Sequence, residues 1–427
     1  MNKKLGNIFK GDKVIWMIFF FLCMISITEV YSASSSLSYK GGAYWGPVLR
    51  HSGFLALGTA LMVVILNVKC KYFKLATPIL LTFSFITLIW VLLAGQSTNG
   101  ANRWMSIIGF QFQPSEIAKG TLVLAVAQIL SAMQTDRGVD RKAIKYILVV
   151  CAFLVIPIML ENLSTAMLIC VTVVLMMFIG RVPLDQIGKL IGVVTICIAI
   201  MIGVIMLIGS NEKQDTASQQ QVLTEISVPE KSESTGGFEK IFHRASTWKA
   251  RILKFFDRKY VAPEDYDLDK DAQVAHANIA ITTSNIVGKG PGNSTERDFL
   301  SQAFSDFIYA IIIEEMGIVG ATGVALLYIF LLFRTGRIAN RCENAFPAFL
   351  AMGIALLLVV QALFNMLVAV GLAPVTGQPL PLISRGGTST IINCIYIGVI
   401  LSISRSAKRK DSKMKVDTVL APVPADV

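Results

Sequence analysis

Apolar residues along this chain are grouped in long blocks that short polar segments separate. A helix needs about 20 predominantly apolar residues to cross the hydrocarbon core of a bilayer, and most of the blocks approach that length. The pattern predicts an all-α polytopic membrane protein with about ten transmembrane helices. We place the predicted spans at 14–32, 50–68, 74–94, 115–133, 144–160, 163–180, 188–209, 306–333, 346–371 and 387–404.

Composition and charge support this class and add an orientation. Hydrophobic residues make up 54% of the chain and charged residues 16%, and the mean hydropathy is +0.62, which excludes an ordinary soluble domain. The net charge of +11 comes mainly from Lys and Arg in the two termini and in every second connection between the predicted spans. The short connections on the opposite side hold only Lys40, Arg50, Arg103 and Arg385. The positive-inside rule therefore predicts that both termini are cytoplasmic, and the charge requires no nucleic-acid partner.

The predicted spans divide the chain into five regions. These are a cytoplasmic N-terminus at 1–13, helices at 14–209, one large extracytoplasmic loop at 210–305, helices at 306–404 and a basic cytoplasmic tail at 405–427. The small residues in VYSASSS would fit a signal cleavage site, but the preceding block is long for a signal peptide and more spans follow, so we expect an uncleaved first helix. In the loop, residues 238–256 have the spacing of an amphipathic helix that either packs on the bundle or lies on the membrane.

Three carboxylates stand in the otherwise apolar stretch LSQAFSDFIYAIIIEEMGIVGA, residues 300–321. Asp306 lies at the mouth of the predicted eighth helix, and Glu314 and Glu315 lie inside it. An acidic side chain at the centre of a membrane helix costs about 2.5 kcal/mol or more. Acids in this position therefore indicate a functional site or an internal polar network.

The stretch GQSTNGANRWMSIIGFQFQPSEIAKG, residues 95–120, is a second polar segment on the same predicted side. Pro114 fits the first position of a helix, and Glu116 and Lys119 are spaced to share one helix face. Two interpretations stay open at this point. Either these two residues form a structural ion pair, or Lys119 and Arg103 receive an anionic substrate group, with Trp104 beside Arg103 at the membrane interface.

Two Gly- and Pro-rich segments complete the candidate site. IVGKGPGNSTERDF contains Lys289 in a tight turn that lacks the spacing of a nucleotide-binding loop. GLAPVTGQPLPLISRGGTST, residues 371–390, is too apolar for an exposed loop and is typical of a re-entrant or broken helix, with Arg385 facing a cavity. No spacing of Cys residues indicates a metal site.

The motifs VYSAS, NRWMSIIGFQFQPSEIAKG, GKGPGNS, SDFIYAIIIEEMGIVG and LPLISRGGTS follow one another in this order. In sequence and order they resemble the SEDS family, the FtsW and RodA polymerases of cell-wall synthesis, over about residues 14–405. The first and fourth motifs are nearer to FtsW than to RodA. The chain departs from the family where it has Glu161–Asn162–Leu163–Ser164 instead of the usual Pro–Asp–x–Gly.

This resemblance implies the SEDS fold and an inverting peptidoglycan glycosyltransferase. The expected substrate is lipid II, an undecaprenyl diphosphate-linked disaccharide-peptide, which is polymerised into glycan strands at the outer face of the bacterial cytoplasmic membrane. A class B penicillin-binding protein and other divisome membrane proteins are the expected partners. The likeness to FtsW implies septal synthesis during division, and a side-wall role of the RodA type is the alternative.

The resemblance also assigns residues. The essential acid corresponds to Asp306, the expected catalytic base, which would take the proton of the attacking sugar hydroxyl. From the resemblance, the expected substrate-binding residues are Arg103, Trp104, Gln113, Ser115, Glu116, Lys119 and Asp298. Lys289 and Arg385 are added as cations on the same predicted side, although the family usually has Tyr where Arg385 stands. Glu314 and Glu315 are expected to belong to an internal polar network. Basic side chains would stabilise the leaving diphosphate, and a divalent cation such as Mg²⁺ or Mn²⁺ is an alternative stabiliser.

Two other classes of function remain open from the sequence. A transporter or flippase for the lipid-linked precursor would also need cations, membrane acids and a broken helix. The chain has no obvious internal repeat, and its polar motifs concentrate on one predicted face rather than at mid-membrane, which favours the polymerase. A non-catalytic scaffold would explain the spans and the basic tail but gives no reason for the acid at position 306.

Overall fold

The computed structural model describes residues 10–33, 46–98, 101–107, 110–136, 138–192, 196, 203, 268–300 and 305–420. Contacts divide the chain into two compact units, Met1–Ile187 with Tyr266–Val427, and Gly188–Asp265. Only 188–192, 196 and 203 of the second unit are described, so the fold presented below is that of the first unit. The predicted span 188–209 lies mostly outside the described residues, as does the predicted amphipathic helix at 238–256.

The first unit is built of helices with two small sheets. The helices are α1 (Lys13–Ala33), α2 (Gly46–Leu66), α3 (Cys70–Ala94), α4 (Pro114–Ala132), α5 (Ala143–Glu161), α6 (Leu163–Ile179), α7 (Leu268–Thr282), α8 (Ile308–Ala339), α9 (Ala345–Ala369) and α10 (Thr388–Leu420). The strands are β1 (Gln96–Thr98), β2 (Ala101–Ile107), β3 (Phe110–Phe112), β4 (Gln134–Thr135) and β5 (Gly138–Val139). A 3₁₀ turn spans Glu296–Asp298.

Eight of the described helices are long and apolar enough to cross a membrane, and α6 is a shorter apolar helix. The prediction of an all-α polytopic membrane protein is confirmed. Helix α8 begins at Ile308, two residues after the predicted start of the eighth span at residue 306. Asp306 therefore lies in the turn before the helix. The last helix continues beyond its apolar part, which ends at Ala407.

Helices α4, α9 and α10 form the centre of the bundle and are the most buried of the spans. Helix α9 packs against α8, α4 and α6, while α10 packs along α2. Peripheral helices instead expose large apolar side chains, which a bilayer would cover. Examples are Phe20, Leu57, Ile79, Val149 and Phe330.

Short connections fix which helix ends lie together. Strands β1, β2 and β3 form an antiparallel sheet between the end of α3 and the start of α4, and α6 follows α5 almost directly. The start of α8, the end of α9 and the start of α10 lie at this same end, which we call the Asp306 end. The 370–387 loop, which joins α9 to α10, is part of it.

Candidate active site

Asp306 occupies a half-buried position immediately before α8. Its Oδ1 accepts a hydrogen bond of 2.9 Å from Ser305 Oγ, and its main-chain carbonyl accepts one of 2.8 Å from Asn365 Nδ2 on α9. The carbonyl of Ser305 accepts a bond of 2.6 Å from Ser384 Oγ in the 370–387 loop. The acid is thus held by its main chain, and its carboxylate lies near the start of a helix, where the helix dipole favours negative charge.

The 370–387 loop approaches the carboxylate closely at Gly377. This glycine has a φ of +68°, and an added Cβ would lie 3.4 Å from Asp306 Oδ2. The next residue, Gln378, is fixed at both ends: its carbonyl accepts a 2.8 Å bond from Asn365 Nδ2, and its Nε2 donates to Thr165 Oγ1 at 2.8 Å. One amide side chain, that of Asn365, therefore ties the Asp306 backbone to the loop that faces it.

Glu116 and Lys119 form a buried ion pair beneath that loop. Lys119 Nζ lies 2.9 Å from Glu116 Oε1 and donates to Gln361 Oε1 at 2.7 Å, and the Lys119 side chain is fully buried. Gln361 Nε2 in turn donates to the carbonyl of Pro379 at 2.9 Å. This geometry is that of the structural alternative stated above. In this arrangement the ammonium supports the loop and is not accessible to an anion from solvent.

The other residues of the 95–120 segment surround the start of α4. Gln113 is half-buried and Ser115 is buried, and both line a small cavity of about 20 Å³. This cavity has room for about one water molecule. Trp104 is half-buried in β2, where it pairs with Gln96 of β1. The backbone of Arg103 lies in β2, while its side chain lies outside the described residues.

Glu314 and Glu315 are fully buried and bind the glycine-rich segment that precedes α8. Glu314 accepts hydrogen bonds from Lys289 Nζ at 2.6 Å, Ser294 Oγ at 2.5 Å and the amide of Thr295 at 3.0 Å. Lys289 therefore contacts an internal carboxylate and also donates to the hydroxyl of Thr295 at 2.9 Å. These contacts are those of a polar network that folds residues 286–297 onto α8.

Glu315 connects the same segment to the first helix. It accepts from the amides of Gly292 at 3.0 Å and Ser294 at 3.3 Å, and from the hydroxyl of Ser32 on α1. Arg297 Nη1 donates to Ser32 Oγ at 3.1 Å and to the carbonyl of Gly292 at 2.7 Å. The two acids thus satisfy amide and hydroxyl donors that would otherwise be buried without partners.

Backbone contact between two glycines makes this association possible. Helix α8 breaks at Gly317, where φ is +67° and ψ is −173°, and the segment crosses it at Gly288, where φ is +84°. The amides of Lys289 and Gly290 donate to the carbonyls of Glu314 and Glu315 at 2.9 and 2.8 Å. The loop therefore replaces helical hydrogen bonds that the break removes.

The remaining candidates lie at the periphery of these two networks. Asp298 is exposed on the 3₁₀ turn, with its Oδ1 3.6 Å from Arg297 Nε. Arg385 is half-buried in the 370–387 loop, where burial and the nearby charge of Arg50 lower the pKa of its guanidinium. Arg50 is exposed on α2, and its charge adds to that of Arg385 at this end of the molecule.

Among the described residues, no group of three or more His, Cys, Asp or Glu side chains is placed to hold a metal ion.

Comparison with known proteins shows the family to which the chain belongs. The family model described as Cell cycle protein, which covers FtsW, RodA and SpoVE, matches residues 12–409. The chain belongs to this FtsW/RodA/SpoVE family. A relative called probable peptidoglycan glycosyltransferase FtsW from Geobacter sp. strain M18 is 28% identical over 400 residues, which cover 92% of this chain and 96% of the relative. Peptidoglycan glycosyltransferase MrdB of Escherichia coli K12 is 26% identical over 399 residues, with 93% and 94% covered.

Solved structures of this family share the fold. RodA of Thermus thermophilus matches with a TM-score of 0.60 at 21% identity, over 93% of this chain and 97% of that one. A chain from a peptidoglycan synthase complex matches with a TM-score of 0.66 at 23% identity, over 93% and 98%. Together with the apolar helices, this membership identifies a multi-pass membrane protein.

Several residues of this FtsW/RodA/SpoVE member were not predicted from its sequence. Asn365 and Gln361 hold the candidate site but lie in a long apolar block, and Ser384 lies in the LPLISRGGTS motif, from which only Arg385 was singled out. Glu29 on α1 is fully buried, and neither of its carboxylate oxygens has a hydrogen-bond partner in the part of the chain that the structure describes. Its position inside an apolar block was the available signal, as it was for Glu314.

Proposed function

We propose that this FtsW/RodA/SpoVE member is a peptidoglycan glycosyltransferase that polymerises lipid II at the outer face of the cytoplasmic membrane. The observation that carries the proposal is the position of Asp306, a partly accessible carboxylate fixed by its main chain at the junction of α8, α9 and the 370–387 loop. The names of relatives from Geobacter and Escherichia coli support the activity.

The proposed reaction is a single displacement at an anomeric carbon. The hydroxyl oxygen of one lipid-linked sugar forms the new glycosidic bond, and the bond between the anomeric carbon and the diphosphate of the other molecule breaks. The lipid diphosphate leaves with the bonding electron pair, and the hydroxyl proton passes to the Asp306 carboxylate. A general base of this kind typically contributes about 10²- to 10⁴-fold to the rate.

The other candidate residues have supporting roles in this proposal. Arg385 and Arg103 are the proposed partners of the diphosphate, since negative charge grows there as the bond breaks. Lys119 and Glu116 position the 370–387 loop through Gln361, and Lys289 holds the segment before α8 through Glu314. Gln113, Ser115, Trp104 and Asp298 line the same end of the molecule and remain proposed substrate contacts.

The proposed setting follows the orientation predicted from charge. Both termini and the basic tail would be cytoplasmic, the 210–305 loop would be extracytoplasmic, and the Asp306 end would face outward. The synthase complex that contains a chain of this fold supports a class B penicillin-binding protein as partner. The likeness to relatives named FtsW favours a place at the division septum with other divisome proteins over a side-wall role.

The proposal is tested with the purified protein and labelled lipid II, with and without a class B penicillin-binding protein whose own active site is blocked. Wild type is expected to produce long glycan strands on a gel. Asp306→Asn, which keeps the size of the side chain, is expected to lose at least about 10²-fold in rate. Asp185→Asn, an exposed acid at the opposite end of the bundle, is the matched control and is expected to keep a rate near that of wild type.

The possible outcomes distinguish an enzyme from a transporter and test the role of Asp306. Strands from both wild type and a folded Asp306→Asn variant would keep the enzyme and remove Asp306 as its base. If neither makes strands, but vesicles containing the wild type move lipid II across the bilayer, the protein is a transporter. The thermal unfolding midpoint of each variant checks that a loss of strands is not a loss of fold.

A further inference from the structure

A cavity of about 160 Å³ lies at the end of the bundle opposite Asp306. It forms where α1 begins, α8 ends and α10 leaves its apolar part. Its polar lining consists of Asp12, Lys13, Arg334, Arg341 and Ser404, and two apolar side chains complete it. The volume is well above the roughly 10–15 Å³ that one water molecule requires, so the cavity can hold a larger polar group.

The cavity carries an excess of positive charge. Asp12 accepts hydrogen bonds from Arg334 Nε at 3.0 Å and from Arg334 Nη2 at 2.7 Å, so these two charges balance each other. Burial raises the pKa of Asp12, but the bonds and charge of Arg334 and two backbone amides outweigh it and hold that pKa below its ordinary value. Asp12 is therefore ionised at neutral pH, and the lining holds three basic side chains, those of Lys13, Arg334 and Arg341, against this one acid.

The ion pair also makes the site rigid. Asp12 accepts from the amide of Val14 at 2.9 Å and thereby caps α1, while Arg334 is anchored on α8. The Nη1 group of Arg334 takes no part in the bond to Asp12. A guanidinium fixed in one orientation loses less freedom when it binds an oxyanion, and its planar donors match phosphate oxygens.

From this arrangement we propose that the cavity binds the phosphate of an anionic phospholipid. The site lies at the ends of apolar spans, which is the depth at which lipid phosphates are found. Basic cavities between transmembrane helices are a recognised form of site for anionic head groups. This role is independent of the glycosyltransferase chemistry at the other end of the bundle.

The test measures lipid binding to the full chain in detergent by native mass spectrometry, with phosphatidylglycerol as the probe. The double variant Lys13→Gln with Arg341→Gln removes the excess charge and leaves the Asp12–Arg334 pair intact. We expect its affinity to fall about thirtyfold, from roughly fivefold for each cation lost beside the bound phosphate. Thermal unfolding confirms that the variant is folded.

Arg337→Gln is the matched control. Arg337 is exposed on the same stretch of α8, but its guanidinium lies 4.8 Å over the Phe333 ring and does not line the cavity. We expect this variant to bind phosphatidylglycerol within about threefold of wild type, because a single surface charge outside the site contributes little. A loss equal to that of the double variant would overturn the site, because it would mean that surface charge in general attracts the lipid.

Two further probes identify the source of the phosphate. Phosphatidylcholine binding as tightly as phosphatidylglycerol would overturn the need for an anionic head group. Inorganic phosphate that competes with phosphatidylglycerol at equal concentration would overturn the lipid as the ligand. Preferential binding of phosphatidylglycerol, lost only in the double variant, supports the proposal.

Discussion

Glu116 and Gln361 accept all the hydrogen bonds described for the buried ammonium group of Lys119. Replacing Lys119 by Met would leave the Glu116 carboxylate buried without its counter-charge. Breaking a buried pair by removing one partner typically costs about 3–5 kcal/mol. We expect Lys119→Met to lose stability of that order, measured as the free energy of unfolding in detergent.

Two comparisons test this explanation. Adding Glu116→Gln to Lys119→Met removes the unpaired charge and should recover much of the lost stability. Arg141→Met breaks the exposed pair of Arg141 with Asp185, in which N and O lie 3.9 Å apart, and should cost less than about 1 kcal/mol. If the recovered double variant still made no glycan strands, the pair of Glu116 and Lys119 would have a role in the reaction in addition to its effect on stability.

At the residue scale, the sequence predicted part of this site for a clear reason. The spacing of Glu116 and Lys119 places them on one helix face, and that local geometry could be read directly. Gln361 could not be identified, because it lies in a long apolar block and meets Lys119 only when α9 packs on α4. Motif likeness singled out Asp306, but not the side chains that hold its backbone.

Helix α8 and the segment that crosses it meet through two glycines, and this contact fixes the start of the helix. A Cβ at Gly317 would lie 2.3 Å from the carbonyl oxygen of Ile286, and one at Gly288 would lie 2.4 Å from that of Glu315. Backbone atoms on both sides cannot rotate away. We expect Gly317→Ala to destabilise the protein by more than about 3 kcal/mol, since strain at positive φ adds to the collision.

Two other glycines distinguish the strain at positive φ from the collision of an added Cβ in the same unfolding assay. Gly292 has a φ of +88° with no atom near an added Cβ, so Gly292→Ala should cost only the conformational strain, about 1–2 kcal/mol. Gly323 lies within α8 and is also open, so Gly323→Ala should be neutral or stabilising. Equal losses in all three variants would contradict the role of the close contact.

At the scale of elements, the break in α8 was missed although the helix was predicted. The letters EEMGIVG fit a continuous apolar helix, because a single glycine inside one is tolerated. Only the segment at Ile286–Gly290 shows why the chain leaves helical geometry there, and that segment joins it through backbone hydrogen bonds. The predicted start at residue 306 differs from the observed start for a related reason, since the boundary depends on contacts of Ser305 and Asp306 with α9 and the 370–387 loop.

Across the whole molecule, the Asp12–Arg334 pair joins the beginning of the first helix to the end of the eighth. The pKa of Asp12 is lower in the folded protein than its ordinary value of about 3.9. Its stabilisation is therefore complete above about pH 4 and is lost as pH falls through the folded-state pKa. We expect Asp12→Asn to be less stable than wild type by about 1.5–3 kcal/mol at pH 7.

The pH dependence distinguishes charge from hydrogen bonding in this pair. The stability difference between wild type and Asp12→Asn should shrink when unfolding is measured at pH 3, because unfolded wild type then binds a proton at Asp12 more readily than the folded protein does. A difference that stayed unchanged down to pH 3 would mean that charge is not what this pair contributes. Arg337→Gln serves as the control and should show no such convergence.

Much of the architecture at this largest scale could be predicted, because crossing a membrane is a local property of about 20 consecutive residues. The identity of the central helices could not. Helices α4, α9 and α10 are central, yet the peripheral α5 has a higher hydropathy than α4 or α10. An apolar block does not reveal whether lipid or protein will cover it, since both are apolar surroundings.

The hydrogen bonds described around the Asp306 backbone come from an amide and a hydroxyl, Asn365 and Ser384, and neither carries a charge. Dissolved salt screens interactions between charges but leaves bonds between neutral groups nearly unchanged. These two bonds should therefore respond little to ionic strength. A change in the rate of strand synthesis between low and high salt would report on the charged groups that meet the carboxylate and the anionic substrate, not on these two bonds.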